Sequence, residues 1–144
     1  MYEGVRRSGL EFFADLKRSK DFCETLGCSV LAAGRLEGSI IRYLNECTSG
    51  KPIKSESLGR LIGILRDRDE DPKVIRALEE TNRQRIDFVH NVHNILSGLT
   101  EEPTLPSENL IDTDVLAYKG YAMQLEENLN DMAAIYESRT RIHT

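Results

Sequence analysis

The chain has 144 residues, 40% of them hydrophobic and 30% charged, with a net charge of −5. That describes one globular domain able to bury roughly 70% of its unfolded surface without disulfides or metals. The acidic balance argues against a broad nucleic-acid-binding face and leaves room for a small phosphate site made by a few arginines. No apolar run approaches the ~20 residues of a membrane span, and Met1 to Arg7 lacks the apolar core of a signal peptide, so the expectation is a cytoplasmic protein with no membrane partner.

Leu10, Phe13, Leu16, Phe22 and Leu26 recur at helical spacing from about Ser8 to Leu26, with a weak interruption at Gly27-Cys28. Val30, Ala33, Leu36, Ile40, Ile41 and Leu44 form a second stripe from Ser29 to Cys47, and Glu37 lies in the middle of it near the apolar side. Thr48-Ser49-Gly50-Lys51-Pro52 ends that helix. A short helix follows over residues 57–65, capped by Ser55 or Ser57, with Leu58, Leu61, Ile62 and Leu65 on one face. Gly59 and Gly63 suggest close packing there, because glycine otherwise weakens a helix.

Arg66 to Pro72 alternates in charge and reads as a solvated connector. Asp71 then caps the next helix with Pro72 in its first turn, and no breaker interrupts it before about Ser97. Leu99 to Ile111, with Pro103 and Pro106, reads as a loop. The last helix begins near Asp112 or Asp114, and its core stripe is Val115, Tyr118, Tyr121, Ala122, Leu125, Leu129, Met132, Ile135 and Tyr136. There is no repeat and no strand pattern. The expectation is a single all-α domain over residues 1–144, an antiparallel bundle of four long helices plus one short helix.

Cys23, Cys28 and Cys47, with three scattered histidines, match no zinc-binding spacing. They read as free, buried or half-buried thiols, and no metal or cofactor is expected.

On a wheel of about 100° per residue, Phe88, Val92, Ile95 and Leu99 cluster, and Ile86, Val89 and Leu96 widen the apolar arc to about 180°. Arg85 and His93 lie inside that arc, while Arg83, Asp87, His90 and Asn94 form a narrow polar stripe. A guanidinium on an inward face is costly unless an anion meets it. The anion is an internal carboxylate such as Glu37, a group on a partner subunit, or a ligand phosphate. For His90 the plain alternative is a surface side chain beside Asp87 or Asn94, and for His93 a half-buried imidazole donating to backbone or carboxylate.

Asn82-Arg83-Gln84-Arg85-Ile86-Asp87-Phe88-Val89-His90 resembles the Asn-x-x-Arg-x4-His signature of the HEPN superfamily, helical bundles that act as RNases, toxins or silent modules in prokaryotic defence systems. The upstream Leu58-Gly59-Arg60-Leu61-Ile62 and the Leu36-Glu37 pair are similar to elements of small HEPN-like proteins, and the resemblance covers roughly residues 28–137. It implies a homodimer whose Arg85 and His90 pairs meet across a two-fold cleft and cut RNA without metal, with an antitoxin or other partner protein as a further expectation. In that scheme Arg85 stabilises the phosphorane and His90 moves the proton. Asn82 belongs to the motif, Glu37 or Asp87 orients the imidazole, Asn91 holds a phosphate oxygen, and His93 stands nearby. Two departures matter. Ile86 replaces the polar residue that usually follows the arginine, and Val92 stands where one toxin subgroup has tyrosine. A second register, Arg83-Gln84 with His90, restores a polar residue after the arginine.

Two readings follow: a HEPN-type endoribonuclease, or a catalytically silent HEPN-like bundle that binds a partner protein or a nucleotide. A cleft lined by Arg85 and His90 from two chains favours the first. A surface His90 with Arg85 paired to Glu37 counts against the first and leaves the second.

Overall fold

A computed structural model describes residues 6–7, 9–97, 110–111 and 114–142, with side-chain surroundings for 10–90 and 116–140. The helices are α1 (Gly9–Arg18), α2 (Lys20–Cys47), α3 (Leu58–Asp67), α4 (Pro72–Ser97) and α5 (Asp114–Ile142). Two residue pairs, β1 (Arg6–Arg7) and β2 (Leu110–Ile111), bridge antiparallel. The architecture is an all-α helical bundle, and this two-residue ladder is the one departure from the strand-free reading among the described residues.

The first break lies at Ser19 rather than at Gly27. Ser19 is the N-cap of α2, and its Oγ accepts from the Phe22 N–H at 3.1 Å. Gly27, Gly34 and Gly38 each cost about 1 kcal/mol, and burial of Leu36, Ile40 and Leu44 outweighs them, so α2 continues through all three. Hence α1 is short and α2 long, leaving three long helices and two short ones. Ser57 caps α3 as expected, accepting from Arg60 N. Asp71 opens α4, its Oδ1 accepting from Lys73 N at 2.9 Å.

The core is made by Leu36, Ile40 and Leu44 of α2, all four apolar residues expected of α3, Ile75, Leu78 and Phe88 of α4, and Leu125, Leu129 and Tyr136 of α5. A fully buried Leu or Ile contributes roughly 1.5–3 kcal/mol, which holds the short α3 in place. The α2–α5 contact is the most extensive. It runs parallel, from Asp21 beside Lys119 to Tyr43 against Tyr136, so this pair departs from the antiparallel expectation, α4 having carried the chain back between the two helices. The long α4 opposes both: Phe88 meets Phe22 and Tyr118 near their starts, whereas Arg85 and Gln84, earlier in α4, meet Glu37 and Asn128 farther along.

Several core expectations change. Phe12, not Phe13, is buried in α1, where Leu10 and Phe13 face outward. Val30 is 66% exposed and Tyr121 60% exposed, and Ile135 also lies at the surface. Gly59 meets only Asn82 Nδ2 at ordinary contact distance and Gly63 meets nothing, so close approach does not explain Gly63.

The connector is not wholly solvated. The Glu70 side chain is 7% exposed and accepts from Tyr136 Oη at 2.9 Å and from Arg139 Nη1 at 2.6 Å. Arg139 also lies over the rings of Tyr43 and Tyr136. This cluster ties the α3–α4 turn to the ends of α2 and α5.

Candidate functional site

Arg85 sits on α4 where that helix crosses the middle of α2. Its Nη1 lies 3.5 Å from Glu37 Oε1, and its Nη2 donates to Asn82 Oδ1 at 3.1 Å. Glu37 Oε1 also accepts from Leu58 N at 3.2 Å, at the first turn of α3. One carboxylate thus satisfies a helix-start N–H and faces a guanidinium. The Arg85 and Glu37 side chains are 33% and 27% exposed, so this is a partly solvated pair rather than a buried one.

Beside it runs a groove of about 460 Å³ between α2 and α4, lined by Leu26, Val30, Ala33, Arg85, Val89 and His90 among others. The wheel separates Arg85 from His90 by about 140°. Both nevertheless line this one groove, Arg85 half-buried and His90 exposed. The rim is apolar and uncovered: Val30, Ile86 and Val89 are all exposed.

The other expected residues separate. Asn82 belongs to the cluster through Arg85. Arg83 points outward and pairs with Glu80 at 3.1 Å, so it stays away from the groove and the second register gains nothing from it. Glu37 serves Arg85 and Leu58 rather than the imidazole of His90. Asp87 lines a different cleft, between α4 and α5. Asn91 and His93 lie outside the residues whose side chains are described.

That second cleft has no sequence signature. Gln84 of α4 and Gln124 of α5 line it, and both hydrogen-bond Asn128; Gln124 does so as an i,i+4 neighbour within α5, and Gln84 across helices, which periodicity does not encode. Among the described residues no cluster of His, Cys, Asp and Glu is arranged to hold a metal ion, and no helix is long and apolar enough to cross a membrane. All three cysteines are free, with Cys23 and Cys47 exposed rather than buried or half-buried.

Comparison with known protein families, with curated proteins and with solved structures finds no match.

Proposed function

We propose that this chain is a metal-independent endoribonuclease of HEPN type that works as a homodimer. The observation that supports it is that Arg85 and His90 both line one groove whose apolar rim is exposed. His90 takes the proton of a ribose 2′-OH as its oxygen attacks the adjacent phosphate. The 5′-oxygen then leaves, giving a 2′,3′-cyclic phosphate. Arg85 donates to the equatorial oxygens as their charge grows. A second protomer seated on Val30, Ile86 and Val89 brings its own Arg85 and His90 to the same scissile bond, supplying the acid that protonates the leaving oxygen.

The Arg85–Glu37 contact is the arrangement expected of the silent reading, and it favours that as the second reading: a HEPN-like module that binds a partner protein, such as an antitoxin, or a nucleotide. Its geometry does not prevent catalysis. Partly exposed pairs are screened by water and contribute at most about 1 kcal/mol, so a phosphodiester, whose single negative charge grows in the phosphorane, competes for the guanidinium. The test is incubation of the wild-type protein with a panel of structured and single-stranded RNAs in EDTA. Site-specific cleavage that leaves cyclic phosphate ends is the expected result. Intact RNA throughout assigns the chain to the silent module.

A further inference from the structure

We propose that the solvent face of α2 is a self-association surface, on which two copies of this chain pair their α2 helices antiparallel about a two-fold axis beside Ala33. The inference deepens the homodimer of the reading above and rests on its two-fold arrangement, not on its RNA chemistry.

From Thr25 to Gly34 the helix carries no charged residue, although one side of it is exposed throughout. On a wheel of about 100° per residue, Val30, Gly34, Gly27, Gly38 and Leu31 fall in that order within an arc of roughly 100°. Leu31 is 75% exposed, the most of any large apolar side chain among the described residues, and Val30 is 66% exposed. Two apolar side chains that the bundle leaves in water are the attractive part of this face.

The glycines give it its shape. All three are exposed, and a Cβ added at any of them would meet nothing within 4 Å. Packing within the chain therefore gives no reason for glycine in a helix that glycine weakens. What glycine provides here is room for a second backbone, because the distance between packed helix axes depends on the side chains at the contact.

Charge chooses the occupant. Lys20 and Glu46 lie thirteen residues either side of Ala33, and Glu24 and Arg42 nine. All four are exposed, and on the wheel they lie on the Leu31 side of the arc. Antiparallel pairing about Ala33 sets residues equally far from it level with each other. Lys20 then meets Glu46 of the second copy, and Glu24 meets its Arg42. Each pair occurs twice, and within α2 no like charges are brought level. A parallel pairing would set each of these charges level with its own copy.

The same register carries Leu31 of the second copy to the level of Arg35, between Gly34 and Gly38, where the absent side chains leave a hollow for it. A two-fold contact must fit itself, and this face does so in both charge and shape. Val30, at the other edge of the arc, also lines the Arg85–His90 groove. The two-fold axis keeps Val30 of both copies on one side of the helix pair. Both grooves therefore open to that side, and the surface is continuous with the exposed Ile86 and Val89.

The test follows dimerisation of the full chain by analytical ultracentrifugation. Gly34→Leu is expected to leave helicity unchanged or higher, since the added side chain meets nothing within the chain, and to weaken the dimer by about a hundredfold or more. Glu24→Arg and Arg42→Glu are each expected to weaken it by about tenfold, and the double variant to recover to within about threefold of wild type. With the three native cysteines changed to serine, Gly34→Cys is expected to form a disulfide between chains under mild oxidation, whereas Leu116→Cys, exposed on α5, is not. A dimer that survives Gly34→Leu, or single charge losses that the double variant does not restore, overturns the proposal. If Val89→Glu breaks that dimer and Gly34→Leu does not, this surface falls and the two-fold cleft of the endoribonuclease stands. A dimer broken by Gly34→Leu in a protein that leaves RNA intact supports this surface and removes the endoribonuclease.

Discussion

Glu37 Oε1 faces the Arg85 guanidinium at 3.5 Å and accepts from the Leu58 N–H at 3.2 Å, so a single carboxylate on α2 ties the start of α3 to the middle of α4. The two contacts are not equal. The N–H of Leu58 belongs to a helix start whose side chain is fully buried, whereas Arg85 retains water on one side. Glu37→Gln keeps an acceptor for Leu58 and removes the charge facing Arg85. It is expected to cost about 1 kcal/mol or less of stability, whereas Glu37→Ala costs more, roughly 1–3 kcal/mol, because the Leu58 N–H loses its acceptor. Chemical denaturation of the two variants separates these values, and equal losses would show that the ion pair, not the cap, is the larger contribution.

Glu70 predicts a response to acid. Burial pushes its carboxyl up, but the bonds from Arg139, Tyr136 and the Asp71 N–H together outweigh burial and hold it below the usual carboxylate range. A carboxylate depressed in the folded state stabilises the fold above its unfolded value, near 4.3, and this contribution fades as pH falls through the folded value. Melting temperature should therefore drop between about pH 5 and the folded value in the wild type, and Glu70→Gln should flatten part of that drop. At neutral pH, Glu70→Gln is expected to cost roughly 2–3 kcal/mol, less than a fully buried pair, because Arg139 is 28% exposed. A wild type and variant with parallel acid melting curves would contradict this.

What the sequence made legible was local. The capping of α3 by Ser57, its buried face and the Asp71-Pro72 start of α4 depend on residues within a turn or two of each other. The division at Ser19 was hidden because a glycine looks like a stronger interruption than a serine cap, although in a long helix they weigh about the same. Glu70 read as solvated because the residues that enclose it, Tyr136 and Arg139, are far away in the chain. Within the candidate site, Arg85 stands out as a charge on an apolar arc, and Glu37 is one of the three kinds of anion the sequence leaves open for it, beside a partner subunit and a ligand phosphate. The Gln124–Asn128 pair has i,i+4 spacing, but the bond from Asn128 to Gln84 joins two helices far apart in the chain and leaves no periodicity to read.

The uncovered rim of the groove predicts self-association. Val30 and Val89, on α2 and α4, are 66% and 62% exposed, and Ile86, also exposed, neighbours Val89 on the α4 wheel. Light scattering at tens of micromolar is expected to give twice the 16.3 kDa of one chain. Val89→Glu places a charge in that apolar contact and is expected to return the mass to that of a monomer while leaving helicity unchanged. A wild-type monomer at that concentration would remove the two-fold cleft, and with it the catalytic scheme that depends on a second His90.

The paired variants of Arg85 and His90 separate function from structure. Arg85 is partly exposed and its ion pair is long, so Arg85→Ala is expected to change stability by at most about 1 kcal/mol. If the guanidinium stabilises a phosphorane, the same change removes roughly 3 kcal/mol or more of transition-state stabilisation, a rate loss of two orders of magnitude or greater. His90 is exposed and has water as an alternative partner, so His90→Ala should leave the melt unchanged and lower cleavage by about two to four orders of magnitude. Thermal melts of the wild type and both variants, followed by RNA cleavage with EDTA present, form one experiment. A destabilisation of 3–5 kcal/mol in Arg85→Ala, the cost of breaking a buried pair, alongside wild-type protein that leaves RNA intact, would make Arg85 a structural residue and the groove a docking surface.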